Sequence, residues 1–181
     1  MSEQRNEPRG PLDGVRVADF SRVLAGPYAT MTLADFGADV IKVEAPEGDS
    51  SRYTGVPRHR GMSGTFQHNA RGKRSIAIDL KQERARETIM RLVPKVDAFA
   101  SNIRPRALER LGLDYESVRK ANPGIVYLNM VGYGSGGRYA GRPAYDDLIQ
   151  AASAIPTLLQ KSTGQPRFIP MAAIDRIVGG A

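Results

Sequence analysis

The stretch from Gly14 to Glu44, GVRVADFSRVLAGPYATMTLADFGADVIKVE, leaves few folds open to this chain. Val15 to Phe20 is a largely apolar run, long enough for a buried strand and too short for a helix. A turn over Ser21–Gly26 follows. Pro27 suits the first turn of a helix, where its missing N–H breaks no hydrogen bond, and Gly37 is placed to end that helix in a left-handed cap. Asp39 to Glu44 reads as a second strand. Two strands joined by a helix within about thirty residues make a right-handed crossover unit of a parallel sheet. In such units a ligand lies off the carboxyl end of the first strand, where the turn and the helix N-terminus offer N–H groups to an anion. Here that place is Ser21–Pro27. Neither Gly-x-Gly-x-x-Gly nor a Walker pattern is present, so the unit alone says α/β and no more.

With 181 residues the chain is sized for one domain with a proper core. It has no cysteine, which excludes disulfides, thiolate catalysis and Cys-ligated zinc. His59 and His68 are its only histidines, so no metal site is expected. Residues 1–10 are polar, carry Pro8 and Gly10, and lack the apolar core of a secretory signal; they are expected to form a disordered tail. No apolar run approaches the roughly 18 residues of a membrane span. The expectation is a soluble, cytoplasmic protein without a membrane partner. A net charge of +7 invites a nucleic-acid reading. A solvated basic surface outranks it, because no aromatic-studded RNA-binding strand or helix-turn-helix spacing accompanies the charges. A third option is a small polyanion, such as a coenzyme carrying several phosphates.

Farther along, Ala45 to Arg74 has no clear period and reads as one long loop. Asn69, Arg71, Lys73 and Arg74 near its end could contact an anion or acyl group, although exposed loop residues are the plainer reading. Ser75–Leu80 is predicted as a third strand. Asp79, three residues before Gln82, suggests a loose capping box for a helix whose Ala85, Ile89, Leu92 and Val93 share one face. Asp97–Ala100 forms a fourth strand, and the turn after it sets Asn102 and Arg104 at the ligand edge of the sheet. A helix over Arg106–Leu111, another capped by Asp114 and ending near Asn122, and a fifth strand, Ile125–Met130, follow. The glycine-rich turn Gly132–Gly137 is weak evidence for a phosphate cradle. After a helical stretch from Asp146 to Ala154, Met171–Ile174 leads into Asp175 at the mouth of a helix, Arg176–Gly180. An N-cap is the ordinary role for Asp175. The functional alternative is a carboxylate that attacks an activated acyl group, forming a mixed anhydride from a thioester.

Seven blocks carry a resemblance: PLDGVRVADFSRVLAGP, LADFGADVIKVE, NARGKRSIAIDLK, SNIRPRALERLGLDYE, NPGIVYLNMVGYG, RPAYDDLIQA and IDRIVGG. In that order they resemble the N-terminal part of the class III CoA-transferases, the CaiB/BaiF group, from about Pro11 to the last residue. The group includes formyl-CoA, carnitine and succinyl-CoA-dependent transferases and, as a divergent branch, α-methylacyl-CoA racemases. The resemblance implies a Rossmann-like parallel sheet with helices on both faces, residues 11–181 being the N-terminal portion of the family's large domain.

The resemblance also implies roles. Asp175 falls where the family has its nucleophilic aspartate. Val23, Leu24 and Ala25 match residues lining the CoA adenine and pantetheine path. Ile78, Lys81, Asn102, Arg104 and Arg110 fall at or beside other CoA contacts, and Tyr145 matches a position near the thioester. The implied reaction transfers CoA between an acyl-CoA thioester and a carboxylic acid through aspartyl anhydride and aspartyl-CoA intermediates. Coenzyme A enters as substrate, with no prosthetic group. A racemase would be expected to have histidine at Tyr145, so tyrosine favours the transferase; a CoA-binding remnant without catalysis is a further alternative. Family members are longer and form interlocked homodimers. The resemblance therefore implies that this chain lacks the second domain and the C-terminal return, and is incomplete for turnover.

Overall fold

The computed structural model describes residues 10–181; residues 1–9 of the expected tail lie outside the described residues. Five strands form one sheet: β1 (Arg16–Asp19), β2 (Asp39–Glu44), β3 (Arg74–Ala77), β4 (Ala98–Ser101) and β5 (Val126–Asn129). Their order is β3-β2-β1-β4-β5, and every pairing is parallel. Val17 of β1 stands opposite Val40 on one side and Ala98 on the other. This is the α/β sheet that the opening strand–helix–strand unit demanded.

Helix α1 (Ala25–Asp35) ends as its sequence requires. Gly37 sits at φ 101°, and the N–H groups of Gly37 and Ala38 donate to Ala34 O and Leu33 O, each at 3.0 Å. A left-handed residue there closes the last turn, a conformation that costs glycine little. Helices α3 (Glu83–Leu92), α4 (Pro105–Leu111) and α5 (Tyr115–Ala121) follow in order. Asp114 caps α5 through the Ser117 N–H at 3.1 Å, as expected from the sequence.

Alternation along β1 divides the core between the two faces of the sheet. Ala18 and Phe20 join Phe99 against Ile89 of α3, Leu108 of α4 and Val118 of α5. Phe20 stacks on Phe99 with ring centroids 4.5 Å apart, and Phe99 on Tyr127 at 4.9 Å. Val17, Val40 and Ala100 pack on the other side with Leu33 and Ala34 of α1. Helices therefore cover both faces. Each large side chain fully buried here contributes about 1.5–3 kcal/mol.

The structure departs from the local reading in five places, the first being β3, which spans Arg74–Ala77 where Ser75–Leu80 was expected. The expected loop Ala45–Arg74 contains a 3-10 turn, Ser50–Tyr53, and helix α2 (Gly64–Ala70). Ser63 caps α2 by accepting the Phe66 N–H at 3.0 Å, and the Arg52 guanidinium lies 3.7 Å from the Phe66 ring centroid. Asp79 does not cap α3, whose N-cap is Gln82; it accepts instead from the Lys81 N–H at 3.0 Å in a turn of its own. After α6 (Asp146–Ala152), a left-handed Ala154 redirects the chain into an unforeseen α7 (Ile155–Thr163). The last helix, α8 (Ala173–Gly180), begins three residues earlier than expected, which moves Asp175 from the cap into the first turn. No helix among the described residues is long and apolar enough to cross a membrane.

Candidate active site

The strand order reverses between β1 and β4, and α1 and α4 leave those strands on opposite faces. Ligands of doubly wound sheets bind in the crevice that this reversal opens. Asn102 spans it. Its Oδ1 accepts the Arg22 N–H at 2.9 Å and its Nδ2 donates to Arg22 O at 2.7 Å, stitching the turn after β4 to the turn after β1.

Two buried lysines brace the β1–α1 turn from below. Lys42 Nζ donates to Ser21 O at 2.9 Å and to Asp49 Oδ2 at 3.1 Å, with both side chains at most 3% exposed. Asp49 accepts the Val23 N–H with both carboxylate oxygens at 3.2 Å and the Ser51 N–H at 3.0 Å. Burial alone would raise the Asp49 carboxyl, but the Ser51 N–H and Lys42 outweigh it and hold the group below the usual carboxylate range. Lys73 Nζ reaches Asp19 at 3.0 Å, Thr30 Oγ1 at 2.7 Å and Pro27 O at 2.8 Å. Burial outweighs its pairing with Asp19, so Lys73 binds its proton less tightly than an exposed lysine. The turn held this way carries Val23 at φ 70°, a conformation that a β-branched residue keeps only when its surroundings impose it.

Beside this turn opens a cleft of about 420 Å³ at the carboxyl ends of β1–β3. Three residues singled out from the sequence, Ile78, Lys81 and Arg110, line it together with Arg22, Lys42 and Ile103. Val23 is 52% exposed at the adjacent turn. Leu24 is buried and serves as the N-cap position of α1, and Ala25 starts that helix. Arg104 is the N-cap residue of α4, exposed and outside the cleft lining. The cations Lys81, Arg110 and Arg22 are exposed with Asp79 half-buried among them, so the cleft combines an apolar floor with a rim of three cations and one carboxylate. That combination suits a ligand with a flat apolar part and anionic groups.

Three of the other anion-contact candidates are paired within the protein. Arg71 pairs with Asp35 at 2.5 Å, Arg74 with Asp39 at 2.7 Å and Lys73 with Asp19. Asn69 is buried in α2, and its Oδ1 and Nδ2 have no hydrogen-bond partner among the described residues.

Helix α8 packs on α1 and α6. A Cβ at Gly179 would collide with the Ala25 carbonyl oxygen, so glycine at this position permits the close approach of α8 to the start of α1. Asp175 stands four residues earlier, one helical turn back. Its N–H donates to Asp146 Oδ1 at 2.9 Å, so the cap of α8 comes from α6. Asp175 itself is partly buried, and its carboxyl makes no hydrogen bond among the described residues. Burial pushes its proton affinity up and the neighbouring Asp146 adds to the effect. Asp146 goes the other way. Burial would raise it too, but a 2.6 Å bond from Gln150 Nε2 and the N–H groups of Asp175, Ile174 and Ala173 hold it low. Tyr145, 69% exposed, is the residue before Asp146 and the N-cap position of α6.

Sequence reasoning missed Lys42, Asp49, Asp19, Asp146 and Gln150. For Lys42 a signal existed: a lysine inside the apolar run DVIKVE, in a strand flanked on both sides, has to be buried and paired. The others are joined only by contacts that the sequence does not reveal.

A parallel sheet whose strand order reverses between β1 and β4, with helices on both faces and a cleft at the strand carboxyl ends, defines a doubly wound α/β domain. The model of CoA-transferase family III matches residues 12–181, and the chain belongs to that family. It is 36% identical over 176 residues to the probable fatty acyl-CoA transferase Rv3272 of Mycobacterium tuberculosis, covering 96% of this chain and 45% of that protein. It is 41% identical over 186 residues to the succinate–glutarate CoA-transferase of Agrobacterium fabrum, covering 99% and 46%. Among solved structures, a CAIB/BAIF family protein from Brucella suis superposes with a TM-score of 0.88 at 40% identity, covering 94% of this chain and 46% of that one. The chain thus spans about half the length of the curated relatives it matches.

Proposed function

We propose that this chain supplies the CoA cleft and the nucleophile of an enzyme that transfers CoA between an acyl-CoA thioester and a carboxylic acid. The observation that carries the reading is the state of Asp175: its carboxyl makes no hydrogen bond among the described residues, while Asp146 accepts its N–H. A carboxylate made more basic by burial and by a like-charged neighbour is also the stronger nucleophile.

In the proposed sequence, an Asp175 carboxylate oxygen attacks the thioester carbonyl carbon. Collapse of the tetrahedral intermediate expels the CoA thiolate and leaves an aspartyl acyl anhydride. The thiolate then attacks the Asp175 carboxyl carbon, the anhydride C–O bond breaks, and the donor acid leaves as its carboxylate. An acceptor carboxylate attacks the resulting aspartyl-CoA thioester, and the returning thiolate takes the new acyl group, which regenerates Asp175. Protons balance without an added acid or base. Backbone N–H groups at the turns stabilise the oxyanions.

Ile78, Lys81 and Arg110 hold the nucleotide end of CoA, Val23, Leu24 and Ala25 border the path of its arm, and Asn102, Arg104 and Tyr145 complete the contacts. Coenzyme A is a substrate here, and no prosthetic group takes part. The working enzyme is a homodimer, and turnover draws on protein beyond the segment shared with this chain, because the matched relatives are about twice as long. Relatives named as succinate–glutarate and succinyl-CoA:glutarate CoA-transferases make succinyl-CoA the first probe.

The test is to mix the purified chain with succinyl-CoA, acetyl-CoA or oxalyl-CoA, quench with hydroxylamine, and map the modified peptide. A hydroxamate at Asp175, absent in Asp175→Ala, supports the reading. CoA binding by calorimetry with no adduct from any acyl-CoA refutes it and leaves a CoA-binding module.

A further inference from the structure

Two carboxylates meet at the mouth of α8, and only one of them is the proposed nucleophile. Asp146 and Gln150 are four residues apart and face the same way from α6. Gln150 is 2% exposed. Its Nε2 donates to Asp146 Oδ2 at 2.6 Å, while its Oε1 accepts the Ile169 N–H at 2.9 Å. The same amide lies 3.4 Å from Ile169 O and Met171 O, in the segment that feeds into α8. Asp146 Oδ1 accepts the Asp175 N–H. The pair therefore fixes both the approach to α8 and its first turn.

We infer that Asp146 is a positioning residue for this site: by capping α8 from α6, it frees the Asp175 carboxyl from the capping role and fixes it at the helix mouth. The inference rests on the reading of Asp175 as nucleophile. Ala172 at the N-cap of α8 has no side-chain acceptor, and an acidic residue at the third helical position can spend its carboxylate by reaching back to the N-cap N–H. A side chain so engaged is a poor nucleophile, because its lone pairs already accept hydrogen bonds. Asp146, 29 positions earlier in the chain, takes that load.

Its negative charge has a second consequence. The elements packed against α8 are α1 and α6. Their titratable side chains are Tyr28 and Asp35 on α1 and Asp146 and Asp147 on α6, and α8 itself carries Arg176. Of these only Asp146 bears on the Asp175 charge, and it favours the protonated form.

The experiment uses the 181-residue chain with 13C-carboxyl aspartate. It reads the Asp175 titration by NMR, amide exchange at Asp175, and the rate of hydroxylamine trapping with succinyl-CoA. Asp146→Asn keeps an acceptor for the Asp175 N–H and removes the charge. The expected result is a downward move of the Asp175 titration with exchange within about twofold of the parent. Asp146→Ala removes both and should accelerate exchange at Asp175 by about fivefold, the loss of a typical cap, with slower trapping. An unmoved titration in Asp146→Asn, or exchange in Asp146→Ala that rises equally throughout the chain, overturns the inference. Trapping that is present in the parent and as fast in Asp146→Ala also overturns it. Failure of the parent to trap at all removes the nucleophile reading instead, and the NMR result then still decides whether Asp146 caps α8.

Discussion

Replacing Lys42 by methionine isolates what holds the β1–α1 turn. Methionine fills nearly the same volume, so the substitution removes the ammonium without opening a large cavity. It leaves Asp49, whose side chain is 1% exposed, without its ion-pair partner, and takes from Ser21 O the donor at 2.9 Å. Removing one partner of a buried pair costs about 3–5 kcal/mol, because the remaining charge stays desolvated. Domains of this kind have a total stability of about 5–15 kcal/mol, so a large share would go. With a urea dependence of about 2 kcal/mol per molar, the unfolding midpoint should fall by roughly 2 M. The double variant Lys42→Met/Asp49→Asn keeps an acceptor for the Val23 and Ser51 N–H groups and has no orphaned charge. It should recover most of the loss. A midpoint shift under about 0.5 M for the single variant, or a double variant no more stable than the single, would refute the assignment of this pair as the brace of the turn.

Two further outcomes are expected. Val23→Gly should stabilise the chain by about 1 kcal/mol in chemical denaturation: relief of a left-handed β-branched residue, about 1–3 kcal/mol, exceeds the entropy cost of glycine, about 0.5–1 kcal/mol. A loss of stability would mean that the Val23 side chain contributes more than its exposure indicates. For Asp175 the folded-state proton affinity is raised, so the folded chain binds more protons than the unfolded one above the ordinary value of 3.8. Its contribution is therefore fully present below that pH and is lost as pH rises through the folded value. Asp175→Asn should be more stable than the parent at neutral pH, with the advantage vanishing near the ordinary carboxyl value; an advantage that grows toward acid would contradict the sign.

Elements whose signals are local were legible in the chain. The Gly37 cap, the Asp114 cap and the apolar face of α3 each depend on neighbours within four positions, the strand–helix–strand unit on one continuous run, and the structure has them. Helix α2 was legible too, in Ser63 three residues before Phe66, but the glycines and arginines around it read as loop. In α7, Pro156 in the first turn was the corresponding overlooked sign.

The site divides along the same line. The turn after β4 was legible at the ligand edge from its place after a strand, whereas Ile78, Lys81 and Arg110 entered only through the resemblance, and the strand order is what brings them to one cleft. The arrangement at the mouth of α8 was not legible. By itself the sequence determined a parallel α/β sheet, its ligand edge and the family, because hydrophobic period, turn chemistry and motif order are written in neighbouring residues. Only the tertiary structure decided which carboxylate caps α8 and which stays unengaged, because the 29 positions between Asp146 and Asp175 close through the packing of α6 on α8. The partners of the buried lysines were settled the same way, since a charge inside a sheet takes whichever carboxylate the fold brings within reach.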